Sequence, residues 1–278
     1  MPKALTPEQT ERYEREGYLC PFEAFPAATA REYCAKLAAF GDEAGEDPLN
    51  ILRIKAHLVT PWLVEMARTP SVLDVVEDLI GPDIRLYLSA LWAKDARDGT
   101  FVSWHQDSTY FGLDPHDEVT VWIALTPSTV ESGCVRVLPG SHRQPDMHHV
   151  ETRDPSNLLS RGQAIQDIDE SAAVDMELQP GQFSVHHERM IHGSEPNNTE
   201  MPRVGFSFMY IPTHVRSTIG RQGSILMRGE DRFGHWDDDP EPRKNFDPVS
   251  MAALKVFQDN YRNPDLRTEA ERAASAAE

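Results

Sequence analysis

The amino-acid sequence predicts a mainly β protein with flanking helices, built on a double-stranded β-helix, the jelly-roll fold of the cupins. Two observations support this fold class. Apolar residues recur at helical spacing in the first third of the 278-residue chain. Short β-rich runs separated by turn residues follow from about residue 85. We expect one domain with a mostly helical N-terminal part (1–84), a jelly-roll core (85–215) and a C-terminal loop and helix (216–278).

The N-terminal part carries signals for three helices. Thr6 is suited to cap the first helix, Pro7 to occupy its first turn and Gln9 to complete a capping box, and Gly17 is suited to end it. The other two helices are expected over residues 26–40, ending at Gly41, and over residues 71–80.

The rest of the chain carries mostly strand signals. Strands are expected over residues 86–93, 100–104, 119–125, 135–138, 175–178, 182–185 and 204–211. The polar segment at about 144–174 is predicted to be a lid, because long loops in a compact domain are usually functional or mobile. A final helix is expected from Pro248 to about Tyr261.

Composition limits the class of partner. The net charge of −18 disfavours non-specific binding to nucleic acid or to anionic membranes. The three cysteines have no paired or metal-type spacing, which is typical of reduced thiols in the cytosol. The chain shows neither the apolar run of a signal peptide nor the ~18 apolar residues of a membrane span. We therefore expect a cytoplasmic protein with a small-molecule substrate and neither nucleic-acid nor membrane partners.

A His-x-Asp motif and a distant histidine suggest a metal site. His105 and Asp107 are two positions apart, so in an extended segment both side chains face the same side. With His192 they make two imidazoles and one carboxylate, the ligand set of a non-haem Fe(II) site with open positions. Alone, the motif is also typical of a surface histidine near an aspartate.

The residues after the distant histidine add a second signal. Arg203 follows His192 by eleven positions and is suited to hold a carboxylate with two hydrogen bonds. A lone arginine at that place is otherwise a surface ion-pair partner. Gly193 and Ser194 come directly after the histidine, as expected where the backbone passes close to a ligand.

Taken together, these motifs resemble the phytanoyl-CoA dioxygenase family over roughly residues 10–235. The resemblance is carried by Trp104-His105-Gln106-Asp107, by Trp122, by the run SGCVRVLPGSH at 132–142, and by His192-Gly193-Ser194 with Arg203. The family consists of Fe(II)- and 2-oxoglutarate-dependent oxygenases on a double-stranded β-helix.

The resemblance implies a role for each matching residue. His105, Asp107 and His192 would be the iron ligands, while Arg203 and Ser194 would hold the distal carboxylate of 2-oxoglutarate. Trp122 would line the same pocket. His186 and His187 are the alternatives for the third ligand, and the spacing to Arg203 in the family pattern favours His192. The family also has a lysine in this pocket, for which Lys55 is the nearest candidate, a solvated lysine being the alternative.

The resemblance further implies that 2-oxoglutarate and O₂ are co-substrates and that succinate and CO₂ are released. Related halogenases have Gly or Ala in place of Asp107, so its presence favours hydroxylation of an aliphatic C–H over chlorination. We expect a small, polar or anionic substrate. Its candidate contacts are Ser103, Gln106, Thr109, Tyr110, Arg216, Arg221 and Arg228, the arginines being equally typical of a solvated loop.

Two other classes of protein remain open. A cupin-like metal-binding protein, a sensor or an isomerase, would use the same three ligands without turning over 2-oxoglutarate. A catalytically inactive binding module is the other. The arginine and serine of the expected co-substrate pocket argue against the first class, and the intact ligand set argues against the second.

Overall fold

The structure, a computed structural model, describes residues 2–152, 154–159 and 162–261. Helices flank two facing β-sheets. The helices are α1 (Pro7–Glu16), α2 (Ala27–Ala44), α3 (Pro48–Ile51), α4 (Pro61–Ala67), α5 (Pro70–Ile80), α6 (Ser108–Phe111) and α7 (Pro248–Tyr261). The strands are β1 (Tyr18–Glu23), β2 (Ile84–Lys94), β3 (Val102–His105), β4 (Leu113–Asp114), β5 (Val119–Ala124), β6 (Val135–Val137), β7 (Val150–Glu151), β8 (Gln163–Ala164), β9 (Val174–Met176), β10 (Gln182–His187), β11 (His192–Ser194), β12 (Arg203–Pro212), β13 (Arg216–Ser217), β14 (Gly223–Arg228) and β15 (Asp237–Asp238).

The sheets have the arrangement of a jelly roll that is not closed at its edges. The larger sheet has the order β1-β10-β5-β12-β2-β14-β15, and the smaller has the order β3-β11-β6-β9. Neighbouring strands come from distant parts of the chain and pair almost entirely antiparallel. The predicted fold class, mainly β with flanking helices on a double-stranded β-helix, is confirmed.

The helix signals are confirmed at α1 and need correction at α2. Thr6 and Gln9 form the capping box, and Gly17 ends α1 with a φ of 81°. The helix α2 does not stop at Gly41 but continues to Ala44 and ends at Gly45, whose φ is 65°. Gly41 lies inside the helix, and the chain that follows the helix packs against it. A Cβ at this position would lie 3.1 Å from the side chain of Pro48.

The expected strands are present with shifted ends. Besides several two-residue strands, two strands of six residues lie outside the expected ranges. The first, β1, pairs with β10 at the edge of the large sheet. Its sequence contains Pro21, and proline within a short run weakens a strand signal because it lacks an N–H for the ladder. The second, β14, follows the strand that we expected to be the last, and it pairs with β2.

Alternation along the large sheet separates the core from the site. On β12, Phe206, Phe208 and Tyr210 face the helices and belong to the main hydrophobic core. The residues of β12 that point to the opposite side, among them Arg203 and Ser207, face the smaller sheet and line a pocket. The outward face therefore anchors the helices, while the inward face is free to carry polar groups.

The segment at about 144–174 has short elements of its own. Strand β7 pairs with β8, a 3-10 helix covers Glu170–Ala172, and the Ile165 N–H donates to the Trp104 carbonyl oxygen 2.8 Å away. The segment thus lies against β3. That it acts as a lid stays a prediction, as do the boundaries between the three parts of the chain. Among the described helices, none has the length and apolar composition needed to cross a membrane.

Candidate active site

Three side chains meet between the ends of two strands of the small sheet. His105 ends β3 and lies directly opposite His192, which begins β11. Asp107 follows two residues after His105, at the start of α6. One ligand atom of each residue lies within 4.8 Å of the others. The Nε2 atom of His105 is 3.4 Å from Oδ1 of Asp107. This spacing suits three ligands of one metal ion.

Backbone carbonyl groups orient both imidazoles. The Nδ1 atom of His105 is 2.9 Å from the oxygen of Ser103, and the Nδ1 atom of His192 is 2.9 Å from the oxygen of Met190. A proton on each Nδ1 leaves the lone pair on Nε2, which faces the shared space. Histidine ligands in metal sites are commonly fixed in this way.

The electrostatics of the cluster also favour a cation. Burial lowers the pKa of the His192 imidazole well below its usual range. Burial acts to raise the pKa of Asp107, but the contact with His105 and the nearby imidazoles lower it to about 2. At neutral pH the site thus holds an unprotonated His192 and an ionised Asp107, the states that bind a divalent ion.

A narrow pocket leads from the cluster to Arg203. The residues that line it come from both sheets: Trp92, Val102, His105, Asp107, Thr120, Trp122, Val135, His186, His192, Gly193, Ser194, Arg203, Ser207 and Met209. Nη2 of the arginine donates to the Gly133 carbonyl oxygen at 3.0 Å, while Nε and Nη1 are buried without a partner. A carboxylate between this guanidinium and the three clustered side chains would accept hydrogen bonds from both nitrogens.

Trp122 and two glycines shape this pocket. The Trp122 ring centre is 5.1 Å from the Arg203 guanidinium carbon. A Cβ on Gly205 would lie 2.3 Å from the Trp122 ring, so a side chain there would displace the indole. A Cβ on Gly193 would lie 2.9 Å from the Val102 carbonyl oxygen. The close approach that we expected at Gly193 is therefore to a neighbouring strand.

Lys94 lies beside this pocket through its contact with Ser194, and the placement of Lys55 here was wrong. Lys55 is fully buried elsewhere, where its ammonium contacts Asp239 and donates to the Gly223 carbonyl oxygen at 2.7 Å. The ammonium of Lys94 donates to Oγ of Ser194 at 2.6 Å. Lys94 lies opposite Arg203 in the pairing of β2 with β12. The alternation along β2 is the sequence signal that could have identified it.

A larger cavity of about 420 Å³ lies on another side of the cluster formed by His105, Asp107 and His192. It shares Trp92, His105, Asp107 and Met209 with the first pocket. Its walls are mostly apolar, with Leu49, Ile54, Leu88, Leu91, Phe111, Leu158 and Leu159 among them. Its polar lining residues include Arg53, Tyr110, Gln163 and Gln258. The sequence indicated only Tyr110, because the others come from three segments far apart in the chain.

The remaining predicted substrate contacts lie elsewhere. Gln106 is buried and held by backbone groups, its amide nitrogen donating to the Arg189 carbonyl oxygen. Ser103 donates to the Gln163 carbonyl oxygen, which positions β8 beside β3. Thr109 lines neither cavity. The same holds for Arg216, Arg221 and Arg228, which pair with Asp114, with Asp237, and with Asp74 and Glu77, respectively.

The structure separates the three neighbouring histidines. His192 belongs to the group of three residues that could hold a metal ion. The ring of His186 enters the same pocket, with its centre 4.6 Å from that of His192. His187 points to the other face of β10, where its ring centre is 5.4 Å from that of His142. Neither His186 nor His187 is part of the ligand cluster.

Relatives and solved structures agree with this geometry. The model of the phytanoyl-CoA dioxygenase family matches residues 13–205. A probable phytanoyl-CoA dioxygenase of Caenorhabditis elegans is 28% identical over 248 residues, which cover 79% of this chain and 80% of that protein. A probable alpha-ketoglutarate-dependent hypophosphite dioxygenase of Stutzerimonas stutzeri is 28% identical over 167 residues, which cover 59% of this chain and 58% of the relative.

Solved structures resemble almost the whole chain. The non-heme monooxygenase ThoJ in its apo form has a TM-score of 0.81 and 31% sequence identity, covering 95% of this chain and 99% of that one. CytC3 with Fe(II) and alpha-ketoglutarate has a TM-score of 0.65 and 24% identity, covering 88% and 96%. The family model matches more than half of the 278 residues, and the chain therefore belongs to the phytanoyl-CoA dioxygenase family, whose members use Fe(II), 2-oxoglutarate and O₂.

Proposed function

We propose that this dioxygenase hydroxylates an aliphatic C–H of a small metabolite, with His105, Asp107 and His192 as its iron ligands. Arg203, Ser194, Lys94 and Trp122 hold the distal carboxylate of 2-oxoglutarate. The observation that carries the proposal is the pocket that joins the ligand cluster to an arginine with two buried, unpartnered nitrogens.

When bound, iron supplies the coupling of 2-oxoglutarate decarboxylation to O₂ activation, so that 2-oxoglutarate, O₂ and R–H yield succinate, CO₂ and R–OH. The protein's own residues orient the reactants. The carbonyl groups of Ser103 and Met190 hold the two imidazoles in the ligating tautomer. Arg203 fixes one end of the co-substrate by a two-pronged contact, so that its other end faces the cluster.

The larger cavity is proposed to receive the primary substrate. It reaches His105 and Asp107 from a side other than the Arg203 pocket, so both reactants can approach one metal together. Its volume of about 420 Å³ falls within the range of cavities that enclose drug-sized ligands. A molecule as small as hypophosphite, which one relative's name specifies, would leave most of this space empty.

The lining supports a more apolar substrate than the one expected from the sequence. Leucine and aromatic side chains form most of the wall, and Arg53 and Gln163 supply the polar groups. Oε1 of Gln163 is buried without a partner, so it suits a hydroxyl or amide donor on the substrate. We propose an apolar body with one polar or anionic group, enclosed in part by the segment that carries Leu158 and Leu159.

A cupin-like sensor or isomerase is the alternative, and one assay separates the two. The purified enzyme with Fe(II), ascorbate and O₂ should convert 2-oxoglutarate to succinate, and a metabolite extract should contain a compound that gains one oxygen. Arg203→Ala should lose succinate formation, whereas Arg216→Ala, in an exposed ion pair, should keep it. Tight metal binding without any succinate, across extracts and pH, would favour the sensor.

A further inference from the structure

His186 is the second residue of the Arg203 pocket that has buried nitrogens without partners. Its side chain is 2% exposed, and both Nδ1 and Nε2 lack a hydrogen-bond partner. In either protonation state, at least one of these nitrogens carries an N–H. Buried polar groups in proteins are nearly always paired, so an imidazole with both nitrogens open indicates a partner that is supplied on binding.

The register places His186 at the metal end of this pocket. His186 is on β10 and pairs with Thr120 of the neighbouring strand β5. The next residue of β5 that faces the pocket is Trp122, which stacks on the Arg203 guanidinium. Two residues of a strand span about 7 Å. The His186 ring lies beside His192, with 4.6 Å between ring centres. The two open donors of the pocket therefore lie at different levels, one beside His192 and the other against the Trp122 ring.

Other polar side chains on this face already have partners. The Thr120 hydroxyl donates to Oε1 of Glu118 at 2.8 Å. Oγ of Ser207 accepts from the Trp92 indole nitrogen, also at 2.8 Å. Of the described pocket residues, His186 and Arg203 are those with buried side-chain nitrogens that lack partners. One lies beside the ligand cluster and the other at the far end.

We propose that His186 is a co-substrate-binding residue whose ring N–H donates a hydrogen bond to the 2-oxo acid end of 2-oxoglutarate, beside the metal. This inference rests on the proposed function, because it assumes that the 2-oxo acid occupies the pocket between His192 and Arg203. It adds a protein donor at the 2-oxo acid end, opposite the end that Arg203 holds. It also explains a histidine here, since an apolar side chain of similar size would fill the same space.

Binding of ligands that carry only part of 2-oxoglutarate tests the assignment. The probes are 2-oxoglutarate, which has both ends, and pyruvate, which has only the 2-oxo acid end. Calorimetry on the Mn(II)-loaded protein measures both affinities without turnover. His186→Phe should weaken both ligands by about tenfold or more, because a hydrogen bond to a charged group is lost. Arg203→Met should weaken 2-oxoglutarate and leave pyruvate unchanged.

Matched variants separate binding from folding and from metal ligation. His187→Phe changes the adjacent residue on the opposite face of β10 and should leave both affinities unchanged. His186→Gln retains an N–H donor and should recover part of the loss. The Fe(II) complex with 2-oxoglutarate absorbs visible light, and His186→Phe should shift this band, because the donor acts on the chelating end of the ligand.

The outcomes are distinct. Unchanged 2-oxoglutarate affinity and an unshifted band in His186→Phe, with one Mn(II) still bound, would overturn the assignment while the proposed function stands. Loss of Mn(II) from His186→Phe, while His192→Ala retains Mn(II), would show that His186 is a metal ligand. That result would also overturn the assignment. Failure of the wild type to bind 2-oxoglutarate in the presence of Mn(II) would instead contradict the proposed function.

Discussion

Lys94 and Arg203 lie directly opposite each other on β2 and β12, and both side chains are buried. Two basic side chains are thus held side by side in the interior. Burial and the charge of Arg203 lower the pKa of Lys94 to about 6. Burial also lowers the pKa of Arg203, to about 10. Two positive charges at this distance repel each other, and an anion beside them would offset the repulsion, which is consistent with the carboxylate that we propose to bind here.

The first prediction is that 2-oxoglutarate binding takes up a proton. At pH 8, well above its lowered pKa of about 6, Lys94 is mostly neutral in the free enzyme, and a bound carboxylate favours its ammonium form. Binding at pH 8 should therefore take up about one proton, and the affinity should fall as the pH rises, by at most about tenfold per pH unit. Calorimetry of the Mn(II)-loaded protein in buffers of different ionisation enthalpy measures the uptake. Lys94→Met should abolish it, and uptake that persists in this variant would contradict the assignment.

The second prediction concerns Arg203. Its truncation to alanine should raise the 2-oxoglutarate concentration needed for half-maximal succinate formation while iron remains bound. The loss of a buried charged contact costs about 2–5 kcal/mol, and each 1.4 kcal/mol is about tenfold. Arg203→Lys should recover only part of the affinity, because an ammonium cannot make the two-pronged contact. An unaltered titration in Arg203→Ala would show that the guanidinium does not hold the co-substrate.

The third prediction concerns the metal ligands. The wild type should bind one Fe(II) per chain, and His105→Ala or His192→Ala should weaken binding by about 100-fold or more, because too few donors remain for a labile ion. His187→Ala is the matched control, since this ring faces away from the cluster. Metal analysis after dialysis against a weak chelator measures the content. Retention of iron in His192→Ala with loss in His187→Ala would reverse our choice of ligand.

Local sequence patterns predicted those parts of the site whose residues lie close together in one segment of the chain. The His-x-Asp motif was found because an extended backbone places both side chains on one side, and the structure brings His105 and Asp107 together as expected. Lys94 was missed because its place beside Arg203 depends on the register of β2 with β12. The two residues are more than a hundred positions apart in the sequence. Lys55 was misplaced because its partner, Asp239, lies far away in the sequence, in the C-terminal part of the chain.

The larger cavity could not be predicted from sequence patterns for a similar reason. Its wall combines residues of the N-terminal helices, β2, the segment after β7 and α7, and none of these has a motif of its own. Gln163 becomes recognisable only when β8 lies against β3, through the Ser103 contact with its backbone. Long-range packing, which no local period encodes, decides which polar side chain enters the cavity.

The fourth prediction concerns a buried carboxyl beneath the site. Burial, together with Glu188 and Asp107, raises the pKa of Glu118 well above its usual range. The native state therefore keeps a proton that the unfolded chain releases, so this group costs stability as the pH rises above the unfolded pKa. Glu118→Gln should be more stable than the wild type at pH 8 and show little gain at pH 4. Thermal melts measure this, with the exposed Glu11→Gln as the control; equal gains at both pH values would contradict it.

The last prediction concerns the choice between hydroxylation and chlorination. Asp107 offers one carboxylate oxygen to the cluster of three candidate ligands, and the resemblance to halogenases with Gly or Ala at this position implies that a halide would need the same place. The wild type should therefore transfer oxygen and never chloride. Asp107→Gly should keep both histidines in place yet lose most hydroxylation, because two neutral imidazoles hold iron less firmly and the charge at the metal changes. Product masses measured with chloride present are the readout.

Efficient chlorination should not appear in Asp107→Gly. A vacant position at the metal is insufficient, because a halide needs its own pocket and the reacting C–H must be placed for transfer to it. The backbone of Asp107 also begins α6, where its carbonyl oxygen accepts the Tyr110 N–H at 2.9 Å, so glycine adds backbone freedom beside the cavity. Asp107→Ala removes the same carboxylate without that freedom and is the matched variant. Chlorinated product from the wild type would overturn the assignment of hydroxylation, and full hydroxylase activity in both variants would show that Asp107 is not a ligand.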